Sequence, residues 1–105
     1  MQKYIAVGRL TREPVLTYTG TGIAKCTFVI AVDSRKGSFK KTDFIPCVAW
    51  RGLAEVIPNF TSKGHRVGIQ GLWRSNTYEK NGEKQVRFEV EVDECEFYDS
   101  PQQQN

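Results

Sequence analysis

The sequence predicts an all-β fold: a barrel of five strands in Greek-key order, with one short helix between strands three and four. Three observations lead to this prediction. Several segments have the length and the period-two pattern of strands, and the alternation of apolar and polar residues is clearest in Ala24–Val32. Only one segment has apolar residues at helical spacing. An Asn-Gly pair, which is typical of tight hairpins, lies between the last two predicted strands.

The first part of the chain supplies two long strands and a short one before a charged segment. Tyr4–Leu10 is apolar and opens the chain, and Val15–Tyr18 follows it. Ala24–Val32 alternates cleanly, so that its two faces differ in polarity. One face carries Cys26, Phe28 and Ile30, and the other carries Lys25, Thr27 and Val29. Asp33–Lys41, with four basic residues and one acid, is expected to form a charged loop.

Thr42–Trp50 is the third long strand, and both of its faces are apolar. Phe44, Pro46, Val48 and Trp50 share one face, and Ile45, Cys47 and Ala49 share the other. One face must be core, but the period of two leaves open which one. If the Ile45 face is buried, Phe44 and Trp50 point outward beside Arg51.

The second part of the chain supplies the helix and two strands. Four apolar residues at helical spacing predict a short helix: Leu53, Val56, Ile57 and Phe60. Pro58 should distort or truncate it, because proline lacks a backbone N–H. Arg66–Tyr78 and Val86–Val92 are the last two strands, joined by a hairpin at Asn81-Gly82, with a bulge expected near Asp93. This order fits an OB-fold over residues 1–99; an SH3-like barrel, the alternative, does not require the helix. Residues 100–105 are predicted to be a disordered polar tail.

Charge is divided unevenly along the chain. Residues 1–88 carry a formal charge of +9 and residues 89–105 carry −6, so the overall +3 hides a strongly basic body. A basic body that contains many aromatic rings favours nucleic acid as the partner. Glu89, Glu91 and Asp93 are interpreted as a solvated face, or as a surface that keeps DNA on the opposite, basic side.

Other function classes receive little support. The chain has one histidine and no nucleophile motif, phosphate-binding loop or flanked carboxylate pair, so an enzyme is not expected. Its three cysteines are widely spaced within apolar runs, so buried thiols are favoured over disulfides or a zinc site with His65. Neither a cofactor nor a metal is expected. No apolar run is long enough to span a bilayer, and no signal peptide is evident, which favours the cytoplasm. A protein adaptor remains an alternative, because exposed aromatic residues also form protein interfaces.

Two groups of residues suggest contacts with a single strand. Tyr78 shares a strand face with Arg74, an arrangement suited to stacking a base while the cation meets a phosphate. Equally, Tyr78 could simply cover the strand end. The charged segment surrounds Phe39 with basic residues that could follow a phosphate backbone. These are Arg35, Lys36, Lys40 and Lys41.

Several segments together resemble the bacterial and phage single-stranded DNA-binding protein family. The most specific is the segment from Thr42 to Glu55, Thr-Asp-Phe-Ile-Pro-Cys-Val-Ala-Trp-Arg-Gly-Leu-Ala-Glu. The resemblance covers nearly all of residues 1–98 in the same order. The other matching segments are Val7–Pro14, Ala24–Val32, Lys63-Gly64, Gly71–Tyr78 and Gly82–Val90.

The resemblance implies an OB-fold protein that binds single-stranded DNA with little sequence preference. Such proteins coat and protect single strands in replication, recombination and repair, normally as homotetramers in the cytoplasm, associated with the nucleoid. In the family, rings at the positions of Phe44, Trp50 and Tyr78 contact bases, so the resemblance favours the outward orientation of Phe44 and Trp50. The phosphate contacts that it implies come from Arg35, Lys36, Lys40, Lys41, Lys63 and Arg74.

The resemblance also bears on the end of the chain and on an alternative function. Full-length bacterial members end in a flexible linker and an acidic tip that recruits other proteins, whereas this chain ends at Pro101-Gln-Gln-Gln-Asn105. Recruitment of replication or repair proteins through such a tip is therefore not expected from this chain. A primosomal or RNA-binding relative with the same fold is the alternative function.

Overall fold

The structure, a computed structural model, describes residues 1–99, in which one α-helix lies among six β-strands. The predicted tail, residues 100–105, lies outside the described residues. In chain order the elements are β1 (Tyr4–Leu10), β2 (Val15–Tyr18), β3 (Ala24–Lys36), β4 (Phe39–Trp50), α1 (Arg51–Phe60), β5 (Arg66–Lys80) and β6 (Glu83–Phe97).

The strands form one sheet that closes on itself. The order across the sheet is β1-β5-β6-β4-β3-β2, and β1 also pairs with β3 through Arg9 and Leu10. Because β3 pairs with β4 along its whole length, β1 and β2 must share the other edge of β3. The barrel therefore has five long strands, with β2 as a short addition beside β1. The predicted OB-type barrel with one helix before the fourth long strand is confirmed.

The interior is filled by one face of each long strand. Cys26, Phe28 and Ile30 of β3 are buried, as are Ile45, Cys47 and Ala49 of β4. The structure thus settles the ambiguous third long strand, whose Ile45 face is core. Residues from β5 and β6 complete the interior, and α1 covers it with Ala54 and Ile57.

The helix differs from its prediction at Pro58. It continues through the proline and ends at Phe60, so the expected truncation is wrong. Pro58 is the eighth of ten residues, so its missing N–H removes only one bond near the helix end. The start is also weakly specified, because Trp50, at the N-cap, provides no side-chain hydrogen bond. Burial of Ala54 and Ile57 therefore holds the helix more than its caps do.

Two β-hairpins extend beyond the barrel as arms. The first arm, residues 33–42, was predicted to be a loop, but β3 and β4 stay paired up to Lys36 and Phe39. Only Gly37 and Ser38 form its turn, and Gly37 has a positive φ of 62°. The second arm, residues 76–87, turns at Asn81 and Gly82, with φ values of 53° and 81°. Positive φ at both central residues is typical of the tight hairpin turn that Asn-Gly predicted.

A β-bulge sits where β5 and β6 cross the barrel. Gln70 is opposite Glu94 and Gly71 is opposite Val92, which leaves Asp93 as the extra residue. The predicted bulge near Asp93 is confirmed. Gly71 fits here because it lacks a side chain, since a Cβ would overlap the carbonyl oxygen of Glu91. Beyond the bulge Cys95 and Phe97 face inward, where both pack against the core.

Candidate nucleic-acid interface

Cross-strand register brings the predicted rings onto one side of the barrel. Residues that are directly opposite in paired strands point to the same face. Phe44 lies opposite Ala31, and Trp50 lies opposite Lys25. Val48, on the same face of β4, lies opposite Glu91 of β6, and Arg74 of β5 lies opposite Glu89. We call this solvent-facing side of β3, β4, β6 and β5 the outer face. It carries Lys25, Phe44, Trp50, Arg74, Asn76, Tyr78, Arg87, Glu89 and Glu91.

The three rings on the outer face are accessible to different degrees. Phe44 is 65% exposed and Tyr78 is 40% exposed, whereas Trp50 is half-buried. The outward orientation expected for Phe44 and Trp50 is confirmed. By contrast, Trp73 of β5 packs against the core, and its ring centre lies 5.3 Å from that of Tyr4. The two tryptophans therefore report on opposite sides of the barrel wall.

Two of these rings have a cation over them that the sequence did not reveal. The ammonium nitrogen of Lys25 lies 5.5 Å from the centre of the Trp50 ring. The guanidinium carbon of Arg87 lies 5.2 Å from the centre of the Tyr78 ring. Neither cation was among the predicted site residues. Alternation placed Lys25 opposite the core face of its strand, but its pairing with Trp50 depends on strand register, which alternation does not give.

Two shallow grooves cross the outer face and meet at Arg87 and Glu89. The first has a volume of about 490 Å³ and runs from Arg12 over Pro46 to Arg87 and Glu89. The second, about 320 Å³, lies between Lys25 and Tyr78 and is also bordered by Arg87 and Glu89. Arg12 is thus a further basic residue that the prediction missed. The first groove has an apolar floor that includes Val29 and Pro46, the second contains the Tyr78 ring, and both have cationic borders, as a surface for stacked bases and phosphates requires.

The first arm separates the basic residues that were predicted there into two sets. Arg35 is opposite Lys40, and both continue the outer face. Lys36 is opposite Phe39, while Lys41 is opposite Ser34, so these side chains belong to the other side of the arm. The Lys41 ammonium also lies 3.7 Å from an Asp43 carboxylate oxygen. Phe39 is exposed, but it does not share a face with Phe44.

The remaining two predicted cations lie outside the paired strands. Arg51 is the exposed first residue of α1 and follows Trp50 directly. Its φ is +61°, in the left-handed region that non-glycine residues adopt at a cost. Lys63 lies in the loop between α1 and β5, where its backbone N–H donates to Glu13. The neighbouring Gly64 N–H donates to the carbonyl of Leu10, which ties this loop to the end of β1.

Acidic residues also lie on the outer face, contrary to one prediction. Glu91 accepts a hydrogen bond from Arg74, with 3.3 Å between its Oε1 and the Arg74 Nε. Glu89 accepts one from the Asn76 side chain, also at 3.3 Å. The idea that Glu89 and Glu91 form a separate acidic side that keeps DNA away is therefore wrong. The reason is the cross-strand register, which places β6 between the two ring-bearing strands β4 and β5.

The cysteines belong to the core side of the sheet, although Cys47 borders the floor of the first groove. Cys26 and Cys47 are buried and Cys95 is half-buried, and all three are free thiols. Burial raises the pKa of Cys26 to about 11 and that of Cys95 to about 12, and it also raises the pKa of Cys47. Within residues 1–99 no group of histidines, cysteines and carboxylates could hold a metal ion. In the same range no helix is long and apolar enough to cross a membrane.

Sequence comparison identifies a protein family that this chain matches. The family model described as the single-strand binding protein family matches residues 1–98. The chain belongs to this family. It is 44% identical over 101 residues to a "Single-stranded DNA-binding protein" of Clostridium tetani, covering 92% of this chain and 70% of that protein. It is 36% identical over 101 residues to "Single-stranded DNA-binding protein A" of Bacillus subtilis, covering 92% of this chain and 59% of that protein.

Comparison of structures leads to the same fold. The chain resembles the protein in a structure titled "Plasmodium falciparum SSB complex with ssDNA", with a TM-score of 0.85. The similarity covers 94% of this chain and 96% of that chain, at 22% sequence identity. This family member therefore shares its barrel architecture with a distant protein that was observed together with single-stranded DNA.

Proposed function

We propose that this protein binds single-stranded DNA on its outer face, without sequence preference, and thereby coats and protects exposed strands. The observation that carries the proposal is the position of three rings, Phe44, Trp50 and Tyr78, on one face of the barrel. Membership of the single-strand binding protein family supports it independently. Exposed strands arise during replication, recombination and repair, and the proposed place of action is the cytoplasm, at the nucleoid.

Stacking on these rings accounts for binding that does not depend on sequence. Every base offers a flat π-face, whereas hydrogen bonds to base edges would select particular bases. Phe44 is the most accessible of the three rings, and Tyr78 borders the groove that contains Lys25. A strand that stacks on Phe44 and Tyr78 would cross β4, β6 and β5, which are neighbours in the sheet.

Cations around the rings would hold the phosphates. Arg35 and Lys40 continue the outer face along the first arm, so a strand leaving Phe44 could follow them. Phe39, Lys36 and Lys41 would act from the other side of that arm. Arg51 would contact the strand next to Trp50, Arg74 would do so beside Tyr78, and Lys63 would contribute from its loop. Lys25, Arg87 and Arg12 join this set because they border the rings and the grooves.

Self-association, as a homotetramer, is part of the proposal. Within residues 1–99, β1 pairs with β3 only through Arg9 and Leu10, so the edge of residues 4–8 opposite β5 has no strand partner. Ile5 and Val7 on this strand are 65% and 48% exposed. An unpaired edge with apolar side chains can pair with another copy. Several barrels in one particle would raise the apparent affinity through effective concentration.

Tryptophan fluorescence tests binding directly, because the two tryptophans lie on different sides of the barrel wall. Oligomers of dT of increasing length should quench the fluorescence of Trp73→Phe, which retains Trp50. They should quench Trp50→Phe much less. Competition with RNA oligomers of equal length separates a DNA-binding protein from an RNA-binding relative. Absence of binding to any dT oligomer at low salt would refute the proposal.

Sedimentation tests the assembly separately. The parent protein should sediment as four chains, and Ile5→Glu combined with Val7→Glu should dissociate it. Each dissociated barrel should still show quenching of Trp50 by dT, since the rings lie on other strands. A parent protein that sediments as a monomer would refute self-association and leave strand binding unaffected.

A further inference from the structure

Arg74, the cation that the sequence places beside Tyr78, already has an anionic partner within the protein. Its Nε donates to Oε1 of Glu91 across β5 and β6, at 3.3 Å. The Arg74 side chain is exposed, whereas the Glu91 side chain is half-buried between Leu72 and Val48, the residues opposite it on the two neighbouring strands. Glu91 is thus fixed in the sheet, while the guanidinium above it remains open to solvent.

The position of this ion pair bears on strand binding. A guanidinium binds carboxylates and phosphates through the same planar N–H groups, so the two anions compete for it. An exposed ion pair contributes little to stability, so a phosphate can displace the carboxylate at small cost. Because Glu91 is anchored in the sheet, its negative charge stays close to Arg74 after displacement, where it repels the incoming phosphate.

Resting on the proposed function, we infer that Glu91 is an internal competitor for phosphate at Arg74 and sets the affinity and salt dependence of strand binding. In the free protein its carboxylate accepts from the Nε–H of Arg74. In the complex a phosphate takes that place against the charge of Glu91. Glu91 is distinguished from Glu89 by its hydrogen bond, because Glu89 lies opposite Arg74 in register but accepts from the neutral Asn76 amide.

Salt dependence provides a signature that affinity alone does not. Binding to single strands becomes weaker with salt because each phosphate neutralised by a cation releases condensed counterions, at about 0.7 per contact. A cation that retains a carboxylate beside it brings almost no net charge to the phosphate. Arg74 should therefore add little to the slope in the parent protein. Once Glu91 is made neutral, Arg74 should contribute the salt dependence of one complete phosphate contact.

The experiment is a double-mutant cycle measured as dT-oligomer titrations at several salt concentrations. The four proteins are the parent, Glu91→Gln, Arg74→Gln and the double variant. Glu79→Gln, on the opposite face of the second arm beside Lys84, is the control for a general change of charge. Glu91→Ala is a second variant that removes the carboxylate in a different way.

We expect Glu91→Gln and Glu91→Ala to tighten binding at low salt by about two- to fivefold, the size of an exposed ion pair. The salt slope should steepen by about 0.7. In the Arg74→Gln background the Glu91→Gln change should have almost no effect. The inference is overturned if the parent binds dT and Glu91→Gln matches it in affinity and slope. It is also overturned if Glu79→Gln gives the same gain, or if the gain persists without Arg74. A parent protein that fails to bind dT would instead refute the proposed function.

Discussion

Lys25 and Trp50 face each other across β3 and β4, and the Lys25 ammonium lies 5.5 Å from the centre of the Trp50 ring. This contact joins the two kinds of group that a single strand requires, a flat ring and a cation. A base stacked on Trp50 would bring its own phosphate within reach of Lys25. The ring and the cation therefore form one unit, and the two can be separated only by substituting each in turn.

Removing the rings should weaken binding equally for all sequences. We expect Phe44→Ala and Trp50→Ala each to reduce affinity by about 1–3 kcal/mol, the contribution of one stacked base. Their salt slopes should stay close to that of the parent, since no charge is lost. Titrations with dT, dA and dC oligomers at several salt concentrations measure both quantities. Phe60→Ala removes an exposed ring of α1 that stacks on Phe97, away from the outer face, and should leave binding unchanged. A loss confined to one base type would contradict stacking.

Lys40 and Lys41 of the first arm are adjacent in sequence but should contribute differently to the salt dependence of DNA binding. Lys40 continues the outer face opposite Arg35, whereas Lys41 lies on the other side and near Asp43. We expect Lys40→Ala to flatten the salt slope by about 0.7, the value of one phosphate contact. Lys41→Ala should flatten it less, because Asp43 already offsets its charge. The measurement is the affinity for dT over a range of salt. Equal slopes for the two variants would show that the strand uses both sides of the arm.

The stabilities of two variants, Arg51→Gly and Arg51→Ala, should reveal the cost of the backbone conformation at Arg51. Its φ of +61° is unfavourable for every residue with a Cβ but not for glycine. Arg51→Gly should therefore be more stable than Arg51→Ala by about 1 kcal/mol, measured as free energy of unfolding in urea. Both replacements remove the same guanidinium and should lose the same affinity for dT. If Arg51→Ala proves the more stable, the left-handed conformation is not retained in solution.

The thiols should be inert in the folded protein at pH 8. Burial raises the pKa of Cys26 to about 11, so only about one molecule in a thousand carries the thiolate at that pH. Reaction with a disulfide reagent should be slow in the native protein and rapid for all three cysteines in denaturant. Rapid labelling of Cys26 without denaturant would contradict its burial.

The same raised pKa values predict a loss of stability in alkali. A group whose folded pKa lies above its unfolded pKa stabilises the fold fully below the unfolded value. That contribution is lost as the pH rises towards the folded value, because the unfolded chain releases its protons first. Thermal unfolding temperatures should therefore fall from about pH 9 towards pH 11. Cys26→Ala with Cys95→Ala, both replaced by a residue that cannot ionise, should show a smaller fall.

The sequence was sufficient for the barrel but not for the arms. Alternation in Ala24–Val32 is imposed by a core on one side, so it can be read from polarity. Residues 33–41 are exposed to water on both faces, so their sequence has no alternation of apolar and polar residues. The pairing of β3 with β4 continues through this segment but could not be predicted from it. The helix was predicted from the spacing of Leu53, Val56, Ile57 and Phe60. Its passage through Pro58 was not predicted, because the local sequence does not show that packing of the helix on the barrel offsets one missing hydrogen bond.

The candidate site was predicted where it depends on one strand and missed where it depends on two. The outward orientation of Phe44 and Trp50 depends only on which face of β4 is core, and the family resemblance favoured the correct face. The cations Lys25 and Arg87, and the carboxylate of Glu91, join the site only through register between strands, which a one-residue slip would change completely. The acidic residues of β6 were interpreted as a separate surface because the sequence does not show that β6 lies between β4 and β5.

The bulge at Asp93 makes this protein unequally tolerant of changes in chain length. One residue inserted between Glu94 and Cys95 would invert every position downstream, turning the carboxylate of Glu96 inward and the side chains of Cys95 and Phe97 into water. Deletion of Asp93 would instead remove the bulge and leave Glu94, Cys95 and Phe97 on their present faces, because Val92 and Glu94 already pair with consecutive residues of β5. Thermal unfolding of the insertion variant should therefore show a far greater loss than that of the Asp93 deletion. The arm tips differ, because a pair of residues can be added or removed there, one on each strand. Such a change keeps every residue of the barrel on its present face of the sheet. Related chains should therefore vary in length at the tips and should not carry a single extra residue between Glu94 and Phe97.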